Sequence, residues 1–590
     1  MERYLITTAD ERTWKFDRPV LFLGEWCRIF DRKHVWSSMD AAVAEPFGLG
    51  PGEKLRNFER VKRSASMLLD DLIAPLNAFH GTARSRREWE IILGHWVIRY
   101  SSLLFNRYHT IEKVLDRHEL NGAAIRVGGY ENLARPDSLS FIWACEDDEW
   151  NHRIYSMILL ELGQQRLEPL MEDFSPLRRA PADLEEPGRS TLRRVLGKAM
   201  ATAARRNDAF IVTPYLPSGK RLALELSLGQ APQLWDPVPA PVVPVDESAR
   251  RRFKIDFSRY TGFEQSLRAH VSDLIPTCFL EGYSDLVRRA DAVPWPTSPR
   301  FIYTANSFDT DEVFKVWTAG LVAQGVPYIA GQHGNNYGTH VWSGADFWPE
   351  RSATDAFVTW GWKDNRNRTM PAFIFKTAGM PSRRESPKGR LLLIGVCLPH
   401  RLDPHDSYAE YEVYQEQQFR FVETLSDNVR AELTVRLHGE HRQHPWRDEQ
   451  RWYERSPDTR LELGTAPIKT LINDSRIVVH SYDSTGILET LTLNVPTLAF
   501  WQGGFEHLIP SAREYYDALR RAGIVHETPE SAAAAASAFW EDVDGWWQRT
   551  NVQQARVRFC QRYARTVKRP VRTLTKLLMT QAATLTKPPR

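Results

Sequence analysis

Two loops concentrate the residues that can do chemistry. The first lies in DSRIVVHSYDSTGILETLTLNVPTLAFW, residues 474–501, where an apolar strand-like run enters a Ser/Asp/Ser/Thr/Gly loop and passes straight into a helical pattern. Ser481, Asp483, Ser484, Thr485 and Gly486 put hydroxyls, a carboxylate and free backbone N–H groups at a helix amino terminus. There the dipole and the unsatisfied donors favour phosphate. Glu489 follows within the first turns, placed to accept hydrogen bonds from ribose or sugar hydroxyls. The plainer reading is that Ser481 and Ser484 only cap the helix. The second loop, His333, Gly334, Asn335, Asn336, Tyr337 and Gly338, follows the apolar run VPYIAG. Its glycines permit close backbone approach, and His333 is a candidate general base titrating near working pH.

Further groups are weaker. VRLHGEHRQHP at 435–445 sets Arg436, His438, His441 and His444 at a strand end, where cations and imidazoles can bind pyrophosphate or protonate a leaving phosphate. A solvated loop explains the same residues, and they match no zinc-ligand spacing. Glu25, in the turn Gly24-Glu25-Trp26, is a candidate catalytic carboxylate, with turn capping as the simpler role. Trp89 and Trp96, seven apart on a helix, fit core packing better than a sugar-stacking platform.

Strands must carry these loops. RYLITT and PVLFLGEWC open the chain as short apolar runs, and Leu68 to Ile98 recur mostly at helical spacing. A helix is expected at 138–163, and proline-rich connections at 178–188 and 232–244. FIYTANSF, a helix from Thr310 to Gln324 and VPYIAG form a β-α-β unit that leaves the His333 loop at a strand's carboxyl end, where open α/β sheets bind ligands. RLLLIGVCLP then begins an alternation of strands (AELTVRLHG, TRLELG, RIVVHS, PTLAFW) with helices, the pattern of a doubly wound parallel sheet. No GxGxxG follows the first strand of either unit, which argues against a dinucleotide oxidoreductase. The expected domains are 1–388, an α/β unit with a helical insertion at about 53–290; 389–545, a second α/β unit; and 546–590, a basic helix or tail.

The 590 residues, 42% hydrophobic and 26% charged, have the composition of a multidomain globular protein. No membrane-spanning run or signal peptide is visible, so a cytoplasmic location is expected. Five cysteines, each more than a hundred residues from the next, fit neither a disulfide framework nor a thiolate metal site. Residues 551–590 hold ten Lys/Arg and no acid, leaving the rest with 67 basic against 74 acidic groups. Such a tail suits an anionic bilayer or a packed terminal helix; nucleic acid is disfavoured because the acidic body shows no interleaved basic and aromatic stretch.

LITTADERTW…PVLFLGEWCRIF…RKHVW, FIYTANSFDTDEVFKVW…GQHGNNYG and DSTGILETLTLNVPTLAFW together resemble a transferase family associated with O-antigen biosynthesis, over essentially the whole chain. The His-Gly loop paired with a strand, DSS or DST loop, then helix is similar to teichoic acid glycerophosphotransferases and capsule Kdo and sialic acid transferases. The resemblance implies a glycosyltransferase-B architecture of two Rossmann-like domains. It also implies His333 as acceptor-side base and His438, Ser481, Ser484 and Thr485 as donor phosphate contacts. Those families often carry His-Pro after the donor-domain strand; here Gly439 follows His438 and the His-Pro is His444-Pro445, so both histidines stay candidates. The expectation is a metal-independent transfer of a sugar from a nucleotide donor to a glycan or lipid-linked glycan, without a cofactor. A nucleotide-sugar 2-epimerase or hydrolase, or a non-catalytic glycan-assembly protein, are the alternatives.

Overall fold

The computed structural model describes residues 2–129, 133–170, 200, 203–235, 237–342, 347–385, 388–397 and 402–585. Among the described residues, sixteen strands fall into three sheets in which every pairing is parallel. The first holds β1 (Arg3–Ile6), β2 (Val20–Phe22), β3 (Ala41–Val43), β4 (Leu120–Ile125) and β5 (Leu167–Pro169), in the order β3-β2-β1-β4-β5. The second holds β6 (Phe210–Val212), β7 (Ile302–Thr304), β8 (Tyr328–Gly331), β9 (Ala356–Thr359) and β10 (Thr369–Pro371), each beside its neighbour in the chain. The third holds β11 (Arg390–Ile394), β12 (Leu433–Arg436), β13 (Leu461–Glu462), β14 (Ser475–His480), β15 (Thr497–Phe500) and β16 (Val525–His526). Its order, β13-β12-β11-β14-β15-β16, reverses direction between β11 and β14, and such a reversal opens a crevice at the strands' carboxyl ends. The α/β class with parallel sheets is thus as expected, and it follows from strands such as Tyr328–Gly331 that are buried throughout.

In residues 1–388, expected as an α/β unit with a helical insertion at about 53–290, strands also occur within the inserted segment. This part of the chain carries two sheets, and β4, β5 and β6 lie inside the segment read as helical. These strands are short, and LNGAAI has little β-branched content, so neither length nor composition marks them. Two long helices do occupy the start of that segment, Glu53–His80 and Arg86–Arg117, the second opened by a Ser85/Glu88 capping box. Every residue from Trp89 to Ile111 except Glu90 and Arg99 is buried, as in a helix covered on all sides. Trp89 and Trp96 are wholly inside, so they pack the core. Residues 178–188 lie outside the described residues.

The basic tail forms helices Thr550–Tyr563 and Pro570–Leu585. Leu574 and Leu578 point into the core, while Lys568, Arg569, Arg572 and Lys576 are exposed. None of the five cysteines is in a disulfide, and of them Cys397 alone is not fully buried.

Burial also governs the response to acid. It lowers His152 to about 3 and His80 to about 4, against the ordinary value of 6.5. Between those values the unfolded chain binds protons that the folded chain refuses, so stability falls as pH drops from about 6.5 toward 4. Thermal unfolding should give a Tm that declines from pH 7 to pH 4.5, with a smaller decline in His80→Gln.

Candidate functional site

Loops at the carboxyl ends of β8, β14 and β15 meet the start of helix Glu53–His80 around a cleft of about 1000 Å³. His333, Asn336, Tyr337 and Asp483 line it, together with His95, Arg99, Asp309, Glu350 and His507.

The His333 loop is braced from below. Gln332, buried at the end of β8, accepts hydrogen bonds from the Trp360 amide and the Trp362 indole and donates to the Gly334 carbonyl. Gly338 has φ +75°, and a Cβ there would lie 2.4 Å from the Trp362 ring, so the turn requires glycine. The His333 ring stands between Phe308 and Tyr215, with centroids at 5.9 and 5.7 Å. Burial lowers its pKa, only partly offset by the carboxylates of Glu350 and Asp309, so it is a neutral base near pH 7.

Behind His333 runs a buried chain of polar groups. The Tyr337 hydroxyl is 3.4 Å from His333 Nδ1 and donates to Glu350 Oε1 at 2.6 Å. Glu350 Oε2 is 2.9 Å from His95 Nε2. Burial raises the Glu350 pKa, but the hydrogen bonds from His95 and Tyr337 more than compensate, so it stays below the ordinary range. Gly94 makes the contact possible: a Cβ there would lie 2.6 Å from Pro349 Cγ, on the short helix that carries Glu350. Arg99 pairs with Asp309 at 2.6 Å on the same wall. The reading of the residues missed His95, Arg99, Asp309 and Glu350. His95 and Arg99, four apart within the apolar IILGHWVIRY, were the available signal, since polar groups on a buried helix need partners.

The β14 loop meets this wall directly. Asn335 donates from its backbone N–H to Thr485 Oγ1 at 3.1 Å and from Nδ2 to Asp483 Oδ1 at 2.6 Å, while Gly334 lies beside Thr485. Ser484 is the N-cap of helix Thr485–Thr492 but makes no side-chain capping bond, so the helix start is not closed by its own hydroxyl. Arg436 and Glu489 act electrostatically on Tyr482 next to it, and Lys376 pairs with Glu489 at 3.5 Å. Gly486 serves packing: a Cβ would lie 2.6 Å from the His480 ring.

Other expected residues lie elsewhere. Ser481 bonds the Ile394 carbonyl and stands 3.0 Å from the Tyr414 hydroxyl, holding β14 to its neighbours inside the core. Glu25 sits in a turn paired with Arg28 and takes no part in the cleft. His438, its pKa lowered by burial, accepts from the Glu440 amide. His444 stacks on Trp143 and binds Glu146 at 3.0 Å; burial would lower its pKa, but the carboxylate raises it. Neither histidine lines the cleft. Asp483 is more than a donor contact: its side chain is 5% exposed and also touches His340, His507 and Tyr516.

Because Glu350 raises the His333 pKa, neutralising it should lower that pKa further. NMR titration of the histidine rings should find His333 below 6.5 in the wild type and lower still in Glu350→Gln. An unchanged value would separate the two residues.

Among solved structures the chain is similar to MurG of Acinetobacter baumannii, at 10% identity over 67% of this chain and 97% of that one, TM-score 0.31. It is also similar to WaaG, a glycosyltransferase involved in lipopolysaccharide biosynthesis, at 10% identity, 64% and 100% coverage and TM-score 0.30. S. aureus MnaA in complex with UDP gives 14% identity, 47% and 76% coverage and TM-score 0.30. No curated protein matches the sequence significantly. Residues 3–578 match the LIC12162 family transferase profile, nearly the full length, and the chain belongs to that family.

Proposed function

We propose that this transferase moves a sugar, or a related group, from a nucleotide-activated donor to a surface glycan such as O-antigen. The observation that carries the reading is the hydrogen bond from Asn335 N–H to Thr485 Oγ1. It joins the loop of a neutral histidine base to an uncapped helix start. Membership of a transferase family supports the reaction class, and the sequence resemblance to O-antigen transferases supports the acceptor.

In this scheme His333 takes the proton of the attacking acceptor hydroxyl while the new C–O bond forms at the sugar. The bond between sugar and phosphate breaks, and the nucleoside diphosphate departs with its electron pair. Negative charge grows on the leaving phosphate, where the Thr485 and Gly486 amides, Lys376 and Arg436 can stabilise it. Glu350 and Asp309 favour the protonated His333 that results. No cofactor enters the scheme.

The acceptor is presented at a membrane surface by charge: Lys220, Lys568, Arg569, Arg572 and Lys576 line an outward groove of about 630 Å³, while Leu574 and Leu578 are packed inward. Among the described residues no helix is long and apolar enough to cross a membrane. The basic groove supports a reaction at the inner face of the cytoplasmic membrane.

Thermal shift against UDP, GDP, dTDP, CDP and CMP tests the donor. One nucleotide should stabilise the wild type, by about 2.7 kcal/mol at 100 times its Kd, and stabilise Thr485→Val and Lys376→Ala less. His333→Ala should keep that stabilisation and lose transfer. No stabilisation by any of the five would overturn the nucleotide donor. For the surface, the protein should float with vesicles containing phosphatidylglycerol and not with pure phosphatidylcholine. The triple variant Lys568→Glu, Arg572→Glu, Lys576→Glu should remain in solution.

A further inference from the structure

We propose that His340, Asp483 and His507 form a binding site for a divalent transition-metal ion, one that pins the His333 segment to the loops of the third sheet. His340 Nε2 is 3.2 Å and His507 Nε2 is 3.0 Å from the same carboxylate oxygen, Asp483 Oδ2. The three ligand atoms all lie within 4.8 Å of one another. Metal–ligand bonds of about 2.0–2.1 Å in a tetrahedral site set neighbouring ligand atoms roughly 3.3 Å apart. The two measured separations are therefore close to the edges of such a site, and little movement is needed to receive an ion.

The surroundings prepare this geometry. Asp483 Oδ1 is occupied by Asn335 Nδ2 at 2.6 Å and the Tyr516 hydroxyl at 3.2 Å, which leaves Oδ2 to face the two imidazoles. Groups of this kind fix the orientation of a ligating carboxylate. The backbones that carry the histidines are also joined: Val341 N–H donates to the His507 carbonyl at 2.9 Å, and Ile509 N–H donates to the Thr339 carbonyl at 2.8 Å. Trp501 packs edge-on against the His507 ring. Side-chain exposure is 10% for His340, 5% for Asp483 and 15% for His507, so the ligands are held by packing.

Two imidazoles and one carboxylate suit Zn²⁺, Co²⁺, Fe²⁺ or Mn²⁺ better than the all-oxygen preference of Ca²⁺ or Mg²⁺. Asp483 and His507 also line the cleft, so water can complete the coordination from that side. The sequence expectation of a metal-independent protein had no way to find this set, because its members come from three distant segments with no ligand spacing. The site does not rest on the transfer reading, and its test needs no substrate.

The test uses the full chain, stripped with EDTA and dialysed. Zn²⁺ should bind at one ion per chain, raise the Tm, and shift the ring signals of His340 and His507 in the NMR spectrum of the wild type. Co²⁺ should give the visible absorption of a low-coordinate nitrogen and oxygen site. His507→Gln and His340→Gln, checked for native circular dichroism, should each weaken Zn²⁺ binding by at least about 100-fold. Zn²⁺ binding that leaves the two ring signals in place, equal binding by the variants, or no binding at all would each overturn the proposal and leave a hydrogen-bonded His-Asp-His cluster. None of these outcomes bears on whether a nucleotide binds.

Discussion

The structure turns on one buried carboxylate. The Asp483 side chain is almost enclosed, and taking an ion out of water costs several kcal/mol even after relaxation. Burial alone would raise its pKa, yet hydrogen bonds from His340 and His507, and their charge, hold it well below the carboxylate range. Two further donors, Asn335 and Tyr516, complete its shell. Asn335 and His340 come from the segment after β8, while His507 and Tyr516 follow β15. Separating these segments would leave a bare buried charge, so the carboxylate is also what keeps the two halves of the cleft in register.

The parallel sheets make that arrangement available. A parallel strand leaves its following loop at the carboxyl edge, and the β11–β14 reversal of the third sheet parts its flanking connections there. The second sheet delivers the His333 loop to the same edge without a reversal of its own. Helix Arg86–Arg117 supplies the remaining wall, and two of the polar side chains on its buried length meet partners across the cleft. His95 meets Glu350 and Arg99 meets Asp309. The resulting site has a histidine whose protonation is opposed by burial and favoured by two carboxylates, the balance a general base requires.

Much of this was legible in the chain. Strands such as Arg390–Ile394 and Ser475–His480 stand out because burial on both faces demands an unbroken apolar run. The loops after β8 and β14 stand out because polar and glycine residues gather abruptly behind such runs. The first sheet was only half visible: β1 and β2 are apolar, but β3 to β5 are short or weakly β-forming and are made strands by their neighbours. Residue roles were harder still. Ser481 and Ser484 look alike in sequence, yet one is tied into the core and the other stands uncapped at the helix start.

The sequence by itself determined the class of fold, the family, and the two loops that carry the chemistry, since these depend on local periodicity and on residue types adjacent in the chain. Only the tertiary structure decided what those loops touch. Asn335 reaches Thr485 across 150 positions, and Glu350 reaches His95 across 255. Contacts at such separations are set by how sheets and helices pack, and packing leaves no spacing in the chain from which they could be read.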